Sequence, residues 1–328
     1  MKRIIVLKSI MMGMAVVLLG SMLGALHALA QERYPSRQIE MVIPFPAGGS
    51  TDISGRMFAN ELSKIFKVAV VPVNKVGSSG TIAGTYVYKA KRDGYTLLTG
   101  SQGWFFGSII YEKEIVYDPL KDFIHIANFH VVPHALCVRK DSPFRTLEDF
   151  IEAARKNPGT ISVGTPGVGG DSYFNLQVLL KAASVQIKHV PYKGVGEVPP
   201  AVLGGHIQVG IGPASPWVPF VKSADVRALG ITSRMKDIPD APSFVERGFK
   251  GRYFDNWAGV SSPAGVPRHV IDALVDVCDR MMKSKEFLEG TEKTGCVIRY
   301  IKRAEFQKHL EEDRKIVDAM ARELGIKK

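Results

Sequence analysis

The chain has 328 residues, 45% hydrophobic and 23% charged, an ordinary globular composition and enough chain for about two domains. That composition excludes collagen, coiled coil, disorder and a polytopic membrane protein. The formal charge of +11 invites a nucleic-acid reading and has to be located first; 32 glycines and three cysteines are the other unusual counts.

In chain order, the first segment changes the charge. Met1-Lys2-Arg3 is basic, Ile10 to Leu26 is an almost unbroken apolar run, and Ala28-Leu29-Ala30 puts small residues where a signal peptidase reads. Residues 1–30 are predicted to be a cleavable signal peptide cut before Gln31. An uncleaved anchor is the competing reading, because the run approaches the roughly 20 residues of a membrane span. No cysteine follows the run, so a lipoprotein anchor is excluded. Taking Lys2, Arg3 and Lys8 from 43 bases leaves 40 against 32 acids, a net +8. These bases are dispersed and not interleaved with aromatics, so no nucleic-acid partner is expected.

Beyond residue 30, β-branched runs alternate with helical patterns. Ile39 to Phe45 is a predicted strand, Pro46 to Asp52 a turn, and Ile53, Met57, Leu62, Ile65 and Phe66 recur at helical spacing. Val68 to Val73 is a strand, Gly77-Ser78-Ser79-Gly80 a second glycine turn, Thr81 to Lys91 a helix and Gly94 to Thr99 a strand. After the extended Val131 to Val138 the pattern restarts. Thr146-Leu147-Glu148-Asp149 opens a helix, and Ile161 to Val163 leads through Gly164 to Ser172 into a helix from Tyr173 to Ala183. Strands follow at Lys188 to Val190, Ile207 to Ile211, Val226 to Thr232 and Trp257 to Val260. Phe306, Leu310, Val317, Met320 and Leu324 mark an amphipathic C-terminal helix. This order predicts an α/β protein of two lobes, each a doubly wound, mostly parallel sheet whose ligands bind where strands end and helices begin.

Cys137, Cys278 and Cys296 have no metal-site spacing and leave at least one free thiol. Cys278 and Cys296 either pair in an oxidising compartment or stay apart as buried thiols. His130 and His134 flank Pro133 in an extended segment and do not make a helical metal pair. There is no HExxH, no GxSxG and no cysteine beside a plausible base, so no catalytic residue, metal or cofactor is expected. The two glycine turns carry the chemistry instead. A helix N-terminus offers unpaired N–H groups and about half a positive charge, so small residues there make a seat for an anion, and Thr51 and Ser172 add hydroxyls. Helix initiation alone is the competing reading of such turns.

Seven blocks in order resemble one family: Tyr34-Pro35-Ser36, Pro44 to Asp52, Asn74 to Gly80, Asp93 to Leu98, Tyr117 to Phe123, His189 to Gly194 and Leu203-Gly204-Gly205. Over nearly the whole length after Tyr34 the chain is similar to the Bug family, the TctC-like periplasmic solute-binding proteins of tripartite tricarboxylate transporters. The resemblance implies a Venus-flytrap of the type II periplasmic-binding-protein architecture, located in the periplasm and acting as a monomer. It implies a small mono- or dicarboxylate as ligand and the transporter's membrane subunits as partners. One lobe is expected to span 31–135 plus 257–328 and the other, inserted, 136–256.

Family contacts carry over onto Phe45, Pro46, Ala47, Gly48, Gly49, Ser50, Thr51 and Asp52, and onto Ser101 and Gln102. In the second lobe they fall on Thr165, Gly169, Gly170, Asp171 and Ser172, and on Pro213, Ala214 and Ser215. Asp52 competes as a helix N-cap. Asp171 stands where the family has serine; it either caps its helix or, facing the cleft, repels an anion and favours a cationic group. Near Gly212, where some members carry an acid that meets an amino group, Pro213-Ala214-Ser215 offers none, which points the other way. Trp104 is a candidate to line the pocket and stack on an aromatic ligand, with core packing of Trp104, Phe105 and Phe106 as the alternative. A sensory receptor for a membrane kinase and, more remotely, an exported enzyme acting on a carboxylate are the other readings.

Overall fold

The computed structural model describes residues 34–327, so the predicted signal peptide lies outside the described residues. All elements named below fall in residues 38–327. The chain runs β1 (Ile39–Ile43), α1 (Ser50–Phe66), β2 (Val70–Asn74), α2 (Thr81–Tyr88), β3 (Thr96–Ser101), α3 (Gln102–Ile110) and β4 (Phe123–Val132). It continues with β5 (His134–Arg139), α4 (Leu147–Lys156), β6 (Ser162–Pro166), α5 (Asp171–Ala183), β7 (Lys188–Tyr192), α6 (Val198–Leu203), β8 (Val209–Pro213), α7 (Val218–Lys222) and β9 (Val226–Ile231). It closes with β10 (Asn256–Pro263), α8 (Arg268–Met281), α9 (Lys285–Lys293), β11 (Val297–Lys302) and α10 (Arg303–Glu323).

Two sheets form, in the orders β11-β4-β10-β3-β1-β2 and β7-β6-β8-β5-β9. In the first, β1 pairs parallel with β2 and β3, while β10 lies antiparallel between β3 and β4, so four of six strands share a direction. In the second, β5 alone runs against the others. Parallel neighbours require helical crossovers, which cover the sheet faces and make two lobes. The chain passes between sheets at Pro133, directly from β4 to β5, and again between Ile231 and Asn256.

Local signals account for the helices. Thr146 and Asp149 form a reciprocal capping box at α4, with acids in its first turn and bases in its last. Helix α1 stops where Lys67 turns left-handed at φ 62°. Along α10, Phe306, Leu310 and Val317 are fully buried, each stabilising the first lobe by about 1.5–3 kcal/mol. Helix α3 escaped the periodic reading because Gln102 through Ile109 are buried on every side, which leaves no polar stripe to reveal it. The three cysteines are free and buried, Cys137 in β5, Cys278 in α8 and Cys296 just before β11, so Cys278 and Cys296 do not pair. Burial pushes the Cys296 thiol up to about 11, which makes it unreactive at neutral pH.

Candidate functional site

In the first lobe β1 ends at Ile43, and the chain turns at Gly48, whose φ of +82° suits glycine, into α1. The N-cap is Gly49, extended and without a side-chain cap, and the first intrahelical bond runs from the Ile53 N–H to the Gly49 carbonyl. The N–H groups of Ser50 and Thr51 precede that bond and have no carbonyl of their own helix to meet. Asp52 is not the N-cap. It sits in the first turn and reaches back to accept from Gly48 N–H at 3.0 Å, from Arg56 Nε at 3.0 Å and from Asn74 Nδ2 at 2.9 Å. Burial pushes this carboxyl up, but the hydrogen bonds from Arg56, Asn74 and Gly48 outweigh it and hold Asp52 below the ordinary carboxylate range. Its task is to fix the turn.

The second lobe repeats this plan with one change. Gly167 (φ +82°) and Gly169 (φ +79°) shape the turn after β6, and extended Gly170 is the uncapped N-cap of α5. Asp171 follows at the first helical position, and its Oδ1 accepts the Ser172 N–H at 2.9 Å. Its Oδ2 accepts from Asn256 Nδ2 at 2.5 Å and lies 3.3 Å from His134 Nε2. Burial raises this carboxyl, and the nearby His134 with the hydrogen bonds from Asn256 and Ser172 brings it below its ordinary value. The chain therefore keeps an anion of its own at the start of α5.

Between the two helix starts lies a narrow cavity. Phe45, Pro46, Gly49, Ser50 and Thr51 line it from the first turn, and Gly170, Asp171 and Pro213 from the second lobe. The lobes meet around it. Ser79 Oγ donates to the Val168 carbonyl at 3.2 Å, Gly194 packs under Pro46, and Val195 stands against Gly49. The walls are mostly apolar with a few polar groups, as small-molecule sites are.

The other expected site residues lie elsewhere. Ala47 and Gly48 are exposed at the mouth. Ser101 caps α3, accepting from Trp104 N–H at 3.4 Å. Gln102 turns the opposite way and donates to Asp313 Oδ2 at 2.8 Å in a separate polar cavity beside Arg252 and His309. Trp104 is fully buried, with Nε1 donating to Tyr117 Oη at 3.1 Å and the ring edge-on to Phe123, so it is a core residue and does not line the cavity. Thr165 Oγ1 is engaged with the Gly167 carbonyl and His189 Nε2, both at 2.7 Å. Gly169 packs on Ile110, Ala214 N–H donates to the Pro133 carbonyl at 2.7 Å, and Ser172 and Ser215 are buried off the cavity.

Five lining residues were not anticipated: Ser79, Gly103, Pro166, Val195 and Asn256. Ser79 and Pro166 belong to the glycine turns, which were signal enough. Gly103 lies between the two residues chosen in its place. Asn256 precedes the predicted strand by one residue. Val195, in a short helical turn before α6, carries no sequence signal.

Two α/β lobes joined at two crossings and closed on a small cavity define a solute-binding protein. The profile of the tripartite tricarboxylate transporter family receptors (TctC) matches residues 55–326, and the chain belongs to that family. Among solved structures, the periplasmic binding protein BugD is 28% identical, with a TM-score of 0.83 over 90% of this chain and 99% of its own. An R. palustris protein solved with adipate is 26% identical, with a TM-score of 0.81 over 89% and 98%. MatC from Rhodopseudomonas palustris, with bound malate, is 25% identical, with a TM-score of 0.80 over 87% and 99%.

Proposed function

We propose that this chain is the periplasmic receptor of a tripartite tricarboxylate-type transporter, capturing a small carboxylate between its lobes and delivering it to the membrane subunits. Residues 38–133 with 256–327 form one lobe and 134–255 the other, the crossings one to two residues from the expected bounds because His134 and Ala135 pair in β5 and Asn256 in β10, and the chain works as a monomer. The observation that carries the reading is the cavity over the start of α1, lined by Ser50 and Thr51, where the first-turn Asp52 carboxylate is turned back onto Gly48, Arg56 and Asn74 and leaves the Ser50 and Thr51 amides free. The malate and adipate in two related structures support the ligand class. Among the described residues no helix is long and apolar enough to cross a membrane. Closure stabilised by the ligand supplies the signal that the membrane subunits read.

The test is a thermal-shift and calorimetric screen of the purified protein with mono-, di- and aminocarboxylates, sugars and divalent metal ions. At least one carboxylate should bind near micromolar, about −8 kcal/mol. Stabilisation by sugars or metals alone overturns the proposal.

A further inference from the structure

The two ends of the cavity have opposite hydrogen-bonding character. At the α1 end the helix amides are donors seeking an anion. At the α5 end the equivalent position already holds the Asp171 carboxylate, which takes the Ser172 amide that a ligand carboxylate would use. Pro166 and Pro213, both lining this end, have no N–H to offer.

Asp171 and Asn256 set what this end accepts. An ionised carboxylate only accepts, so the bond to Asp171 Oδ2 fixes Asn256 with Nδ2 towards Asp171 and Oδ1 as a free acceptor. Asn256 is 4% exposed, lines the cavity, and its Oδ1 has no hydrogen-bond partner among the described residues. A buried carbonyl left unmatched costs about 1–3 kcal/mol, so the position calls for a donor. On Asp171, Oδ2 is engaged by Asn256 and approached by His134, whereas Oδ1 has one backbone donor and a second lone pair to give. Gly103 keeps the approach to Oδ1 open: a Cβ there would lie 3.5 Å from that oxygen and 3.1 Å from Phe45 Cζ.

We infer that the ligand is an aminocarboxylate held lengthwise, with its carboxylate on the start of α1 and its ammonium between Asp171 Oδ1 and Asn256 Oδ1. An ammonium has three donors and no acceptor, which suits two acceptors and an anion; a second carboxylate has the wrong charge beside Asp171 and finds the Ser172 amide already taken. This inference rests on the carboxylate-receptor reading and narrows it.

Matched ligand pairs that exchange one carboxylate for an ammonium test it by calorimetry: β-alanine against succinate, 4-aminobutanoate against glutarate, and 5-aminopentanoate against adipate. In the best-fitting pair the amino acid should bind at least tenfold tighter, about 1.4 kcal/mol. Asp171→Asn should remove that preference while leaving the dicarboxylate's affinity equal or higher. If the dicarboxylates bind the native protein as tightly as their amino partners, the inference is overturned and the receptor reading stands. If no carboxylate or aminocarboxylate binds, the receptor reading itself falls. The native protein alone decides between these outcomes should Asp171→Asn fail to fold.

Discussion

His125 and His130 lie in β4 with no exposed surface to speak of, and burial sets their acid–base behaviour. His125 Nε2 faces the Pro119 carbonyl at 2.9 Å, so the proton is on Nε2, and Nδ1 accepts from Ser261 Oγ at 3.0 Å. Desolvation pushes His125 down to about 4 and His130 to about 3. Both stay neutral in the folded protein where an unfolded chain, titrating near 6.5, takes up protons. A lowered folded-state pKa gives stability that is complete above 6.5 and is lost as pH falls towards 4 and then 3. Between pH 6.5 and 4.5, unfolding free energy should fall with acidification, and His125→Gln should reduce the slope by about 1.4 kcal/mol per pH unit. Chemical denaturation at stepped pH measures this; an unchanged slope would show that His125 is protonated in the fold. Residue scale is also where the sequence was hardest to read. Gln102 and Trp104 flank Gly103, and successive helical positions point 100° apart, so when Gly103 faces the cavity both neighbours turn into the protein. Composition gives the chemistry of such a stretch but not its phase.

At the scale of elements, the glycine turns were legible because strand, glycine run and helix follow in order, and the structure has α1 and α5 starting at those turns. What each glycine does was not legible. Gly48 is glycine for its backbone: its φ is +82°, and a Cβ there would meet nothing within 4 Å. Gly49 has an ordinary φ of −78°, and its need is space, since a Cβ would lie 3.1 Å from Val195 Cγ1 across the cleft. The two should therefore fail differently when changed. Gly48→Ala should cost about 1 kcal/mol of stability through left-handed strain. Gly49→Val should lower the unliganded melting temperature modestly, because valine is a poor N-cap, and weaken the best carboxylate at least tenfold, because its branches push Val195 and the second lobe away. Melting curves and calorimetry on the two variants separate these effects, and full affinity in Gly49→Val would show that closure at this seam is not required. Val195 and Asn256 were invisible to sequence reading for a related reason. Each matters only through a residue of the other lobe, Gly49 and Asp171 respectively, and no local pattern encodes that meeting.

For the whole molecule, the α/β class and mostly parallel sheets follow from strand–helix alternation, but the antiparallel strands do not. Strand β10 enters between β3 and β4, and β5 runs against its sheet, because both lie where the chain crosses between lobes. These crossings are few and narrow: Pro133 joins β4 to β5, and β10 begins at Asn256 immediately after Asp255, which accepts from Thr232 and Ser233. The seam between the lobes combines buried and exposed contacts: Ser79 Oγ to the Val168 carbonyl, Asn256 Nδ2 to Asp171, Gly169 on Ile110, Phe174 edge-on to Phe106 at 5.5 Å, glycine contacts with Pro46 and Val195, and, away from the cavity, the exposed pairs Lys181–Glu323 and Lys236–Glu292. The exposed ion pairs contribute at most about 1 kcal/mol each, so resistance to opening comes mainly from the buried contacts at Phe174, Gly169 and Asp171. A ligand bound to α1 on one side and to Asp171 on the other touches both lobes only when they are closed, and its binding free energy therefore favours that state. Small-angle scattering should show the radius of gyration falling when saturating ligand is added to the native protein. Gly49→Val, saturated with the same ligand at the higher concentration it needs, should keep the larger radius. An identical radius with and without ligand in the native protein would mean that the lobes are already closed, and the proposed receptor role would then depend on recognition of the ligand-filled cavity instead of lobe movement.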